Sequence, residues 1–305
     1  MIQFLCLIAL IVVVVLRARN SWRKPAWWAT TFAAVSIATY GIFAISPTVM
    51  DRFLGDRNLL TLLRDTSAVA AMWFFHNAVA AERRRPERRL PVWGLCLVLA
   101  AFIIPFLLIP QPGPTSPDFV LDRLDEFPTW LFASVYISIM GVLAARVIAL
   151  LIRELSVMTW LYILGLSLML IGSAMELTYL CITHFGPPNE DFRESFYYAA
   201  EGPFFGGIFI AVLGFVWVLG LRMFWKSLAR WTLQVDGRAH CAEYCARVLV
   251  RAQASGWSSR QLAVDSAVNI RDRLKMGTQT LSKADNLIFA VVERLLSGRL
   301  QEASR

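Results

Sequence analysis

Charge is scarce in this chain. Charged residues fill 17% of its 305 positions and hydrophobic residues 57%, against about 25% and about 45–50% in a soluble domain. That ratio excludes an ordinary water-soluble enzyme, and it excludes a disordered tail protein, which needs high charge and few apolar residues. Cysteine is also sparse. Of the five, Cys6, Cys96 and Cys181 fall in or beside apolar runs, and Cys241 and Cys245 fall near the C-terminal end. No C-x-x-C pair occurs, so no disulfide framework is expected. The chain holds no G-x-x-x-x-G-K-[ST], H-E-x-x-H, G-x-S-x-G or dinucleotide-binding glycine pattern. His240, Cys241 and Cys245 lack a fourth ligand at useful spacing. Neither a metal nor a cofactor is expected.

What the chain does have is apolar length. A membrane helix needs about 20 mostly apolar residues, and seven runs approach or reach that: 2–16, 28–46, 59–80, 92–109, 129–151, 158–182 and 203–224. The first lacks the basic residues that precede the apolar part of a signal peptide. Instead Arg17, Arg19, Arg23 and Lys24 follow it, as expected of an uncleaved anchor whose N-terminus is outside. The loop 82–89 carries Arg83, Arg84, Arg85, Arg88 and Arg89, and Arg153, Arg222, Lys226 and Arg230 fall on the same side. Lys and Arg gather on the inner side of a membrane protein.

The expected fold is therefore all-α: a polytopic bundle of seven transmembrane helices over 1–226, with a small cytoplasmic three-helix tail over 227–305. The expected location is the plasma membrane, multi-pass, with the C-terminus cytoplasmic. The excess of 30 Lys and Arg over 22 Asp and Glu, net +8, then reads as attraction to anionic lipids of the inner leaflet, and no nucleic-acid partner is expected. Trp22, Trp27, Trp28, Trp93, Trp130 and Trp225 lie near run ends, where interfacial anchors belong.

In the tail, Ser258 or Ser259 with Gln261, and Ser282 with Asp285, have the spacing of helix-capping boxes. The tail is a docking surface for a cytoplasmic protein or a helical appendage. The loop 110–117 holds four prolines. After it Asp118, Asp122, Asp125 and Glu126 form an acidic outer face, a secondary candidate for a cationic ligand.

Ionisable groups inside apolar runs cost at least about 2.5 kcal/mol each at the bilayer centre and so point to partners or water. The third run contains Arg64, Asp65 and His76, the fifth contains Arg146, the sixth contains Glu176, and Glu201 opens the seventh. Arg146, about one turn from the inner end of its run, is expected to snorkel to the headgroups. At 1.5 Å per residue, Arg64 and Glu176 reach similar depth below the outer surface, so the two are expected to meet, with Asp65 and Glu201 close by. Arg64, Asp65, Glu176 and Glu201 are the primary candidates for binding a small-molecule ligand. His76 is a secondary candidate, read first as a hydrogen-bonded helix-interface residue. Gly202 and Gly206 form a G-x-x-x-G suited to close helix packing, as are Gly165 and Gly172.

The seven-run layout, the basic second inner loop and the segment Phe224-Trp225-Lys226-Ser227-Leu228-Ala229-Arg230-Trp231 together resemble a family of actinobacterial integral membrane proteins. Members are labelled transporters and carry a cytoplasmic C-terminal domain of unknown function. The resemblance implies a seven-span membrane domain and carries over no catalytic residue. Three functions are compatible with the residues. The first is a membrane sensor or regulator that binds a small or amphiphilic ligand from the outer side and reports through the tail. The second is a transporter or export accessory, the function the resemblance implies. The third is an intramembrane enzyme acting on a lipid-like, for example isoprenoid, substrate through buried carboxylates. The odd number of runs and the tail favour the sensor, and no enzyme motif supports the third.

Overall fold

The computed structural model describes residues 11, 14–15, 22–41, 46–116, 119–153, 157–186, 190–238, 259–276, 281–282, 285–286, 288–292 and 294. Among these residues the regular elements are helices, with no strand. They are α1 (Pro25–Ala38), α2 (Pro47–Phe53), α3 (Leu59–Glu82), α4 (Val92–Leu107), α5 (Phe127–Leu151), α6 (Val157–Phe185), α7 (Glu190–Arg238) and α8 (Ser259–Lys275). Single 3₁₀ turns occupy Pro86–Arg88 and Leu121–Arg123.

Among the described residues three segments are long and apolar enough to cross a membrane: Pro86–Leu107, Phe127–Leu151 and Thr159–Phe185. The other expected spans are not among them, each for its own reason. Run 2–16 lies almost wholly outside the described residues. The second run yields α1 of 14 residues, about 21 Å long, because the helix stops before Gly41, which takes φ 119°. The third yields α3, long enough at 24 residues but interrupted by Arg64, Asp65 and His76. In the seventh, the described apolar stretch Gly202–Gly214 is short.

The chain divides into two compact units, Met1–Gly214 and Phe215–Arg305. In the first, α5 is the central element. Its buried residues include Phe132, Ala133, Ile137, Met140, Ala144 and Val147, and they share one core with Val69 and Trp73 of α3, Phe102 and Phe106 of α4, and Leu166 and Met169 of α6. Phe106 links the layers, with its ring centroid 5.2 Å from Phe132 and 6.1 Å from Phe119. These separations are typical of stabilising aromatic pairs. Helix α1 joins α3 through the stacked rings of Phe32 and Phe74, 5.7 Å apart.

Glycine sets the approach of α6 to α7. A Cβ added at Gly172 would lie 2.6 Å from Phe204 Cα, and one at Gly165 would lie 2.8 Å from the Gly207 carbonyl oxygen and the Ala211 nitrogen. The two backbones therefore touch, as small residues allow in membrane helices. The G-x-x-x-G pair Gly202 and Gly206 takes no part: a Cβ at either meets nothing within 4 Å. Gly207 is the residue used. One position along a helix turns the face by about 100°, which suffices to move the contact off the expected pair.

The basic loop is clamped at its end. Leu90 N–H donates to Asn77 Oδ1 at 2.7 Å, and Asn77 Nδ2 donates to the Leu90 carbonyl at 3.0 Å. This pair fastens the chain after Arg89 to α3. Losing a buried partner costs about 1–3 kcal/mol. Asn77→Ala is therefore expected to raise the rate of tryptic cleavage within residues 83–89 about tenfold through local opening. Equal cleavage rates in variant and parent would contradict the clamp.

In the second unit, Leu228, Ala229 and Val235 of α7 share a core with Ala263, Ala267 and Ile270 of α8 and with Phe289 and Val292. The spacing 263, 267, 270 gives the apolar stripe of an amphipathic helix. Ser282 behaves as its spacing predicts: its Oγ accepts from Asp285 N–H at 3.1 Å and donates to Asp285 Oδ2 at 2.7 Å. The expected first tail helix and the residues His240, Cys241 and Cys245 lie outside the described residues.

Candidate functional site

Arg64 and Asp65 lie about 8 Å along α3 from Leu59. Adjacent helical positions do not face one another, so their pairing depends on the long arginine folding back. Arg64 Nε–H donates to Asp65 Oδ1 at 3.0 Å. The same guanidinium sits 5.3 Å from the centre of the Tyr40 ring, a cation–π distance. Asp65 is 4% exposed. A carboxylate that dry is costly without its bonded cation.

Tyr136 of α5 joins this pair: Asp65, Arg64, Tyr40 and Glu176 all act on it electrostatically. The sequence places Arg64 opposite Glu176. In the structure Arg64 takes an ion partner from its own helix, and Glu176 acts on Tyr136 electrostatically. Helix α6 continues to Phe185, which sets Glu176 about 14 Å from that end, level with Tyr136 at about 14 Å from Phe127 and deeper than Arg64. The cluster thus contains Arg64, Asp65 and Glu176 of the primary candidates. Glu201 lies in α7, and its side chain is outside the described part of the structure.

Of the secondary candidates, Asp122 and His76 do not join it. Asp118 lies outside the described residues. Asp122 and Asp125 are exposed on the loop before α5, where Arg123 pairs with Glu126 at 3.4 Å. Among the described residues no group of three His, Cys, Asp or Glu side chains could hold a metal ion. His76 is buried, with Nδ1 3.5 Å from Asn77 Oδ1, and Arg146 acts on it electrostatically. It is a helix-interface residue.

Three residues carry more of the structure than their place in the sequence suggests. Tyr40 and Tyr136 supply the aromatic and hydroxyl surface around the ion pair. Tyr136 was visible as a polar hydroxyl in the middle of an apolar run. Asp51 of α2 is fully buried. Its carboxylate accepts from Asn58 N–H at 3.1 Å, Leu60 N–H at 3.3 Å and Thr115 N–H at 2.9 Å. Thr115 Oγ1 also donates to Asn58 Oδ1 at 3.0 Å. Asp51 thereby meets two otherwise orphaned donors at the start of α3 and ties the proline-rich loop to them.

A groove of about 560 Å³ runs along α5 on another face, within the range of about 300–1,000 Å³ usual for small-ligand sites. Trp130, Ser134, Ser138, Val142 and Arg146 line it, every fourth residue and so one inclined row of the helix. Tyr136 stands two positions from both serines, on the opposite side of α5 from them, and is not among the lining residues. Trp130, at one end of the row, stacks on His184 at 5.2 Å, and His184 Nδ1–H donates to the Leu124 carbonyl at 2.6 Å.

These features define a helical, membrane-associated protein with a charged cluster in which Asp65 is buried and Arg64, Tyr136 and Glu176 are half-buried. No family model, curated protein or solved structure matches the chain.

Proposed function

We propose that the protein is a plasma-membrane sensor of seven spans, with its N-terminus outside and its C-terminus in the cytoplasm. Its bundle binds a small polar or amphiphilic ligand from the outer side at the cluster of Arg64, Asp65, Tyr136 and Glu176. Its helical tail reports occupancy to a cytoplasmic protein. The observation that carries this reading is the cluster itself. A carboxylate as buried as Asp65, held by a half-exposed guanidinium, costs stability when it is taken out of water. The tail unit supports the reading through its own apolar core.

The test uses the full-length protein in lipid nanodiscs against a panel of small polar and amphiphilic compounds. A ligand at a hundred times its Kd stabilises by about 2.7 kcal/mol, a rise of several degrees in Tm. Asp65→Asn and Glu176→Gln are expected to abolish the shift that such a compound gives the parent. The same compound should change amide exchange across residues 259–275. A shift retained in both variants would contradict the binding site. Binding with an unaltered tail would contradict reporting. Vectorial uptake of the compound would instead favour the transporter or export accessory that the family resemblance implies. Turnover of a lipid-like compound lost in Asp65→Asn would favour the enzyme.

A further inference from the structure

We propose that the groove along α5 is a specific site for an anionic membrane phospholipid, with the lipid phosphate held by Arg146. Arg146 lines the groove toward the C-terminal end of α5 and is exposed within it. The lining contains no carboxylate to neutralise that cation; its other polar side chains are Trp73, Trp130, Ser134 and Ser138. Helix α5 has 25 residues and is about 37 Å long, which overshoots a hydrocarbon core of about 30 Å by about 4 Å at each end. Arg146 lies about 8 Å from that helix end, so its guanidinium sits a few ångströms below the headgroup level, within snorkelling reach of a lipid phosphate.

Leu90, which precedes α4, also lines the groove. Asn77 fixes that residue at the close of the segment that carries Arg83, Arg84, Arg85, Arg88 and Arg89. This places further positive charge beside the groove. Above Arg146 the row continues through Val142 and Ser138. An acyl chain one leaflet deep, about 15 Å, ends between Ser138 and Ser134, short of Trp130. Length, apolar wall and terminal cation match one chain and one phosphate. Which leaflet supplies the lipid rests on the orientation proposed above, which puts Arg146 at the inner one. The site itself does not rest on the sensor reading.

Native mass spectrometry of the delipidated full-length protein, titrated with phosphatidylglycerol, tests the site. The parent is expected to bind one phosphatidylglycerol at least about tenfold tighter than phosphatidylcholine. Arg146→Gln, which removes the cation, and Val142→Trp, which fills the groove without changing charge, should each weaken binding about tenfold. Excess inorganic phosphate should not compete. Unchanged binding in either variant, equal affinity for the two lipids, or competition by free phosphate would overturn the proposal. Asp65→Asn should bind phosphatidylglycerol as the parent does, so failure of the groove and failure of the cluster are separately visible.

Discussion

Asp51→Ala is expected to lower the Tm of the full-length protein by on the order of 10 °C. Three backbone N–H groups converge on this carboxylate within 3.3 Å, and the residue has no exposed surface. Hydrogen bonds to an ionised group contribute about 1.5–3 kcal/mol each, and a buried donor left without a partner costs about 1–3 kcal/mol. Partial rearrangement keeps the total below their sum, at about 3–5 kcal/mol. For a chain of this size each kcal/mol moves Tm by about 2–4 °C. The negative charge also sits at the start of α3, where the helix dipole favours it. Asp51→Asn retains one acceptor oxygen but turns an N–H₂ toward a donor, so it should fall between parent and alanine. Asp122→Ala, on an exposed acid of the neighbouring loop, should leave Tm within about 1 °C. If Asp51→Ala behaved like Asp122→Ala, the carboxylate would not be the tie between the start of α3 and the loop at Thr115.

Gly172→Leu should be the most damaging single change in the membrane unit outside that tie. The added Cβ alone would stand 2.6 Å from Phe204 Cα, a backbone atom that cannot rotate away. The helices must separate, and overpacking of this kind costs about 1–3 kcal/mol or more. Gly172→Ala should already cost at the lower end of that range, and leucine should leave little folded protein in detergent extracts. Gly202→Ala and Gly206→Ala provide the contrast, because open space surrounds both. Each should be neutral or raise stability by up to about 1 kcal/mol through helix propensity. Size-exclusion profiles and Tm values of the four variants decide it. Damage at Gly202 or Gly206 equal to that at Gly172 would show that α6 and α7 meet through the other face.

How much of this was legible beforehand depends on the range of the interaction. Long apolar runs are local signals, and the runs at 59–80, 92–109, 129–151 and 158–182 became helices whose ends differ by at most three residues. The Ser282–Asp285 cap is local too, since three residues separate its partners. Interactions that depend on where distant segments fold were not legible. Nothing near Asp51 in sequence announces that Thr115, 64 positions away, will donate to it. Asn77 likewise gives no sign of its bond to Leu90. The candidate site sits between these cases. Charge inside an apolar run singled out Arg64, Asp65 and Glu176, and depth counted from approximate helix ends fixes their relative heights only coarsely. Because α6 ends three residues later than its apolar run, Glu176 lies about 5 Å further from the helix end than the run implies. The groove left only a faint trace. A row spaced by four is visible in the sequence, but its walls come from other helices.

The outer-side ligand site, and the leaflet that supplies the groove's lipid, depend on the sidedness of the bundle, and cysteine labelling of intact cells tests that most directly. With the native cysteines replaced by serine, Asp122→Cys and Arg88→Cys each place one thiol at an exposed loop position. A membrane-impermeant maleimide should label position 122 on intact cells and position 88 only after permeabilisation. Labelling of position 88 from outside, or of both positions from the same side, would contradict the account.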